Sequence, residues 1–130
     1  MKRYKIALFG EAEKGAFHTP HFVQELPELV DRLGEPPQES EGLYFAIQAL
    51  LFQRELIFFR VKEEGFSYPD YFQGFKCLSD KEQIETLSAI CLPGVGDLEL
   101  IHASFPICEL HRSLLITTQK DLYDFLTSLP

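Results

Sequence analysis

The segment Leu56-Ile57-Phe58-Phe59-Arg60-Val61 is apolar at five of six positions and shows no in-out alternation. A strand of this kind must be covered on both faces, and such strands are mostly parallel ones flanked by helices. Similar runs occur at 4–9, closed by Gly10, at 86–92 and at 113–117. Between them the spacing turns helical. Leu26, Leu29, Val30 and Leu33 share a face that stops at Gly34 and Pro36-Pro37. Leu43, Ile47, Leu50 and Leu51 form another, widened by Tyr44, Phe45 and Phe52, with Ser40 as its expected N-cap. Further helices are predicted from Pro69 to Leu78, from Asp97 with a bend or break at Pro106, and from Thr118 through Leu122, Phe125 and Leu126. Thr19-Pro20 reads as N-cap and first helical residue of a helix ahead of Pro27.

Helices between successive strands predict an α/β fold with a small doubly wound, Rossmann-like sheet. About four parallel strands in the order 2-1-3-4, with helices on both faces, follow from right-handed crossovers. No repeat, linker or low-complexity tract divides residues 1–130, so one domain is expected. Ligands of such sheets bind beyond the carboxyl ends of the strands, at the switch point of the strand order. Those ends are Gly10-Glu11, residues 60–64, residues 93–97 and Thr117-Thr118.

Composition narrows the function classes. Twelve Lys and Arg against 20 Asp and Glu give a net charge of −8, which disfavours a nucleic-acid-binding surface. No apolar stretch approaches the roughly 18 residues of a membrane span. The basic start is followed by an apolar run that ends at Phe9, short for a secretory signal. Three cysteines, Cys77, Cys91 and Cys108, are an odd number in apolar contexts, and a reducing cytoplasm is the simplest setting.

The loop Pro93-Gly94-Val95-Gly96-Asp97 is the most informative motif. Two glycines two apart let the backbone turn sharply and approach a ligand, and the helix behind them offers free amides to an anion. The same residues also make an ordinary strand-to-helix turn, with Asp97 as N-cap consuming those amides itself. Full GxGxxG and GxxxxGK[ST] motifs are absent, so a standard dinucleotide or triphosphate site is not expected, and no cofactor is implied. Glu11 and Glu13 beside Lys14 could hold a sugar or a metal, or form a solvated loop. Arg60, at the ligand end of its strand, could present a fork to a phosphate or pair with a neighbouring acid. His18, His21 and Glu25, and separately Cys108 and His111, have helical spacing but lack a full ligand set, so no metal site is expected.

The stretch Ala89-Ile90-Cys91-Leu92-Pro93-Gly94-Val95-Gly96-Asp97-Leu98-Glu99-Leu100 resembles the strand and P-G-G-x-G-T-x-x-E loop of the LOG (Lonely Guy) family. These are the cytokinin-activating phosphoribohydrolases long mislabelled lysine decarboxylases. Gly42-Leu43-Tyr44-Phe45-Ala46-Ile47, running into Glu55-Leu56-Ile57-Phe58-Phe59, is similar to the family's G-L-M-G helix and following strand, and residues 5–10 to its opening strand. The likeness spans most of the chain. The loop is nevertheless one residue short, Asp97 stands in the threonine position, and Leu100 stands where the family has glutamate, with Glu99 one residue off. Between residues 71 and 86 only Lys76 and Lys81 are basic, leaving no Arg-Lys pair. Pro36-Pro37-Gln38-Glu39-Ser40-Glu41 replaces the glycine-rich strand end and brings carboxylates where a phosphate would sit.

The resemblance implies a catalytically degenerate relative that binds a nucleotide, a nucleoside or a protein partner at the carboxyl ends of the strands. Gly10, Glu11, Arg60, Pro93, Gly94 and Gly96 would form the ligand site. A working phosphoribohydrolase acting on a nucleoside 5′-monophosphate is the alternative, with Glu99 or Asp97 as the acid and Arg60 as phosphate anchor. A third possibility is an interaction module without a ligand, using the aromatic segment 66–72. A homodimer is implied by the resemblance alone.

Overall fold

The computed structural model describes residues 4–129. Five strands form one sheet in the order β2-β3-β1-β4-β5. These are β1 Lys5–Gly10, β2 His21–Val23, β3 Glu55–Arg60, β4 Ala89–Cys91 and β5 Leu114–Ile116. The helices are α1 Leu26–Leu33, α2 Gly42–Leu51, α3 Tyr68–Leu78, α4 Leu98–His111 and α5 Gln119–Ser128. The four parallel strands β3, β1, β4 and β5 stand in the order expected from the sequence. The architecture is the doubly wound, Rossmann-like α/β sheet.

The added strand is β2, antiparallel to β3 with Phe22 opposite Ile57. It replaces the helix expected from Thr19-Pro20. His18 has a left-handed φ of 59°, which turns the chain back toward the sheet edge. Pro20, lacking an N–H, precedes a short edge strand without loss of a ladder bond. Helix α1 starts only at Leu26, with Pro27 in its first turn, and Arg32 at its far end donates to the Phe22 carbonyl at 2.8 Å. Two further expectations change. Ser40 does not cap α2, because its hydroxyl turns back to donate to the Pro37 carbonyl at 2.9 Å. Helix α4 continues through Pro106.

The apolar core divides between the two faces of the sheet. On one face Ala7 and Phe9 of β1, Ile57 and Phe59 of β3 and Ile90 of β4 pack against α3 and α4. Phe9 stacks on Phe59 at 4.8 Å and on Tyr71 at 5.5 Å, and meets Phe75 edge-on at 5.2 Å. On the other face Leu8, Leu56, Phe58 and Cys91 meet Leu29 and Leu33 of α1 and Leu43, Ala46 and Leu50 of α2. The carboxyl ends of β1 and β4 lie side by side, since the chain leaves β1 for β3 on one flank and reaches β4 on the other.

Candidate functional site

At that crevice β1 ends in Gly10, and α2 begins at Gly42 directly against it. A Cβ on either glycine would lie 2.6 Å from the other's Cα, so neither position tolerates a side chain without backbone movement. The close approach brings the amides of Glu11, Glu41 and Gly42 together, an arrangement of N–H groups that suits an oxyanion. The chain supplies the oxyanion itself. Glu64, from the loop between β3 and α3, accepts from Glu41 N–H through Oε1 at 2.9 Å. Its Oε2 accepts from Glu11 N–H at 2.8 Å and Gly42 N–H at 3.1 Å. Glu11 returns the favour, accepting from Glu64 N–H at 3.0 Å. Burial pushes the Glu64 carboxyl above its ordinary range, outweighing the three amide bonds, which pull the other way.

The loop after β4 is built on the same principle. Gly94 takes a left-handed φ of 82°, as a sharp turn from strand to helix requires. Its N–H donates to Asp121 Oδ2 at 2.8 Å, from the first turn of α5. Asp97 is the N-cap of α4 and accepts from Leu100 N–H at 3.0 Å through Oδ2. Its other oxygen accepts from the Tyr68 hydroxyl at 2.5 Å. That bond, with a smaller contribution from burial, pushes the Tyr68 phenol up to about 12. Asp70, buried at the start of α3, accepts from Lys62 N–H at 2.9 Å and pairs with His18 at 2.6 Å. Around the carboxyl edge of the sheet, seven backbone amides therefore donate to five carboxylates of the chain.

A cavity of about 570 Å³ opens above these groups. Seven of its twelve lining residues are acidic: Glu11, Glu39, Glu41, Glu63, Glu64, Asp121 and Asp124, with Lys120 the one base among them. Asp97 and Gly96 line a smaller depression beside it, with Tyr68, Gly65 and the shared Phe66, Gly94 and Asp124. Gly96 matters through proximity, since a Cβ there would lie 2.7 Å from Asp124 Cβ.

The residues singled out in the sequence are therefore only partly brought together. Gly10, Glu11, Gly94, Gly96 and Asp97 meet around the crevice, and buried Pro93 leads β4 into it. Glu99 is exposed on the first turn of α4 and lines neither depression. Arg60 lies apart from the crevice. Its guanidinium donates to the Gly15 carbonyl at 2.6 Å and stacks on the Phe17 ring at 4.2 Å, pinning the loop between β1 and β2. His21 meets the Ala16 carbonyl and His111 the Leu78 carbonyl, each through Nε2. Among the described residues no group of three or more His, Cys, Asp or Glu is placed to hold a metal. In the aromatic segment 66–72 only Phe66 and Phe72 are exposed rings, because Tyr71 is buried with its hydroxyl on Gly65 N–H and Tyr68 is tied to Asp97.

Sequence reasoning missed Glu64, Asp121 and Asp70. Asp121 carried a partial signal, three residues after the N-cap Thr118, whose hydroxyl accepts its N–H at 3.1 Å. Glu64 carried only its place at the carboxyl end of its strand, beside Glu63, and nothing local pointed to its three donors, which lie 22 to 53 residues away. Among the described residues no helix is long and apolar enough to cross a membrane. Comparison of the chain with protein-family models, curated proteins and solved structures finds no match.

Proposed function

We propose that this chain is a catalytically degenerate, LOG-like Rossmann protein that binds a phosphate-free ligand of nucleoside type at the carboxyl ends of its strands, in the reducing cytoplasm. The observation that carries this reading is Glu64: its carboxyl occupies the three amides a phosphate would use. A 5′-phosphate would have to displace it and enter a cavity lined by seven acids and one lysine. A nucleoside meets no such repulsion, its hydroxyls and amino groups find carboxylate acceptors, and the cavity is of small-ligand size. Hydrolysis of an N-glycosidic bond is disfavoured as well. Asp97 is engaged by Leu100 N–H and the Tyr68 hydroxyl, and Glu99 faces solvent. The cytoplasmic setting is supported by the three cysteines, Cys77, Cys91 and Cys108, all of which are free thiols.

The test compares thermal shifts with adenosine, cytidine, AMP and ribose 5-phosphate. Stabilisation by a nucleoside that is lost on adding the phosphate supports the proposal. Stabilisation by AMP with release of free base, abolished by Glu99→Gln, would overturn it in favour of an active phosphoribohydrolase.

A further inference from the structure

The sheet is covered unevenly on the α2 side. Helix α2 packs on β1 and β3, whereas the helix on β4 and β5 is α4, on the opposite face. The strip over β4 and β5 has no helix there, although parallel strands ordinarily have cover on both faces. This strip is not a flat patch. Helix α2 stands beside it and walls an apolar groove of about 240 Å³ with Phe45, Ala49 and the adjoining Phe52. The sheet supplies Leu8, Cys91 and Ile116, with Leu8 and Cys91 buried at the floor. Toward the amino ends of the strands the groove runs into a second depression of about 530 Å³, the two sharing Ile6, Arg54 and Ile116. Arg54 immediately precedes β3 and Arg112 lies two residues ahead of β5, which brings both to this end. In a chain of net charge −8, neither depression is lined by an Asp or Glu. Among the described residues neither guanidinium is ion-paired. Arg54 donates to the Phe52 carbonyl at 2.9 Å and stands over the Tyr4 ring at 5.3 Å. Donors on both arginines therefore remain for an anion.

We propose that this trough binds a free single-chain carboxylate, a fatty-acid anion with its tail between α2 and the sheet and its head on Arg54 and Arg112. Shape and charge carry the assignment. The walls along the tail are apolar apart from Gln48, so a polar chain would lose its water there and gain few partners. The arginine end offers planar forks that match a carboxylate. A neutral lipid would leave those forks unused, and a compact anion would leave the groove unfilled. An anionic membrane surface repels a chain of net charge −8, whereas a single free carboxylate meets only the local arginines. The larger depression falls in the size range of small-ligand sites. It lies at the opposite edge of the sheet from the acidic crevice, so the two sites stand independently.

Equilibrium dialysis of the full chain in reducing buffer tests it, with octanoate, decanoate and decanol kept below the concentrations at which they aggregate. Decanoate is expected to bind, and octanoate about fifteenfold more weakly, because two buried methylenes are lost. Arg54→Gln and, separately, Arg112→Gln are expected to weaken decanoate about tenfold, as loss of a charged hydrogen bond does, and to leave decanol unchanged. No binding of decanoate, equal affinity for octanoate and decanoate, or wild-type affinity in both arginine variants would each overturn the proposal. Binding lost in Lys120→Gln but kept in the arginine variants would move the anion to the crevice and overturn it as well. So would a dimer in sedimentation without decanoate binding, which would give the groove to a second copy. Pelleting with phosphatidylglycerol vesicles undiminished by decanoate would give it to a membrane surface and overturn the proposal too.

Discussion

Helices α2 and α4 both begin at the carboxyl edge of the same sheet, and both have their first amides bonded to a carboxylate, but the carboxylates come from different places. Asp97 caps α4 from the N-cap position, three residues from the amide it accepts. Glu64 reaches α2 from another loop, 22 residues beyond Gly42 and 53 beyond Glu11. A local cap stabilises one helix. A remote cap fastens the end of β1, the start of α2 and the loop after β3 to a single side chain, so its loss is felt in three segments at once.

The largest effect expected from this comparison comes from separating the segments that the remote cap joins. Gly10→Val places a branched side chain against the Gly42 backbone and is expected to cost about 3 kcal/mol in urea unfolding, at the upper end for overpacked sites. A cost near that of a surface substitution would show that β1 and α2 do not meet as described. Next comes Glu64→Ala, which leaves three amides without their acceptor and is expected to cost roughly 2 kcal/mol. The same variant should bind inorganic sulfate more tightly than wild type does, because its three amides are left free for an oxyanion; calorimetric titration of both proteins decides it.

The pH dependence sharpens the contrast. Because burial raises the Glu64 carboxyl above its ordinary 4.5, the folded chain holds that proton more tightly than the unfolded chain. The resulting stabilisation is complete below pH 4.5 and is lost as pH rises through the folded value. Glu64→Gln cannot titrate, so the stability of wild type relative to this variant should decline across that window and be flat above it. A constant difference from acid to neutral pH would break the account. The smallest effect is the local one. Asp97→Ala is expected to cost about 1 kcal/mol, as N-cap losses do. It should also bring the Tyr68 phenol down from about 12 toward its ordinary 10.0, followed by ultraviolet titration.

What could be read from the sequence follows the same division between local and remote. The turn at Gly94, the cap at Asp97, the cap at Thr118 and the four parallel strands depend on residues close together in the chain, and all were legible. The edge strand β2 was not. Thr19-Pro20 has the chemistry of a helix start, and only the reversal at His18 and the open edge of β3 make the next three residues a strand. Arg60 was placed at the right end of the right strand. Which way its guanidinium turned depended on a loop that its own sequence neighbourhood does not contain. Gly10, Gly42 and Gly94 could be singled out, because glycine marks where backbones approach closely or turn sharply. The carboxylates gathered around them could not, since acids are abundant in this chain and only the fold selects Glu64, Asp121 and Asp70 from the twenty.

The remote cap on α2 also sets an order of events. A ten-residue helix with no charged residue and no side-chain cap of its own has little reason to form alone. It must wait until β3 has paired with β1 and carried Glu64 across, whereas α4 carries its cap within its own first turn from the moment it is synthesised. In a refolding experiment the amides of Glu41 and Gly42 should therefore become protected from exchange late, together with that of Glu11, and after the amide of Leu100.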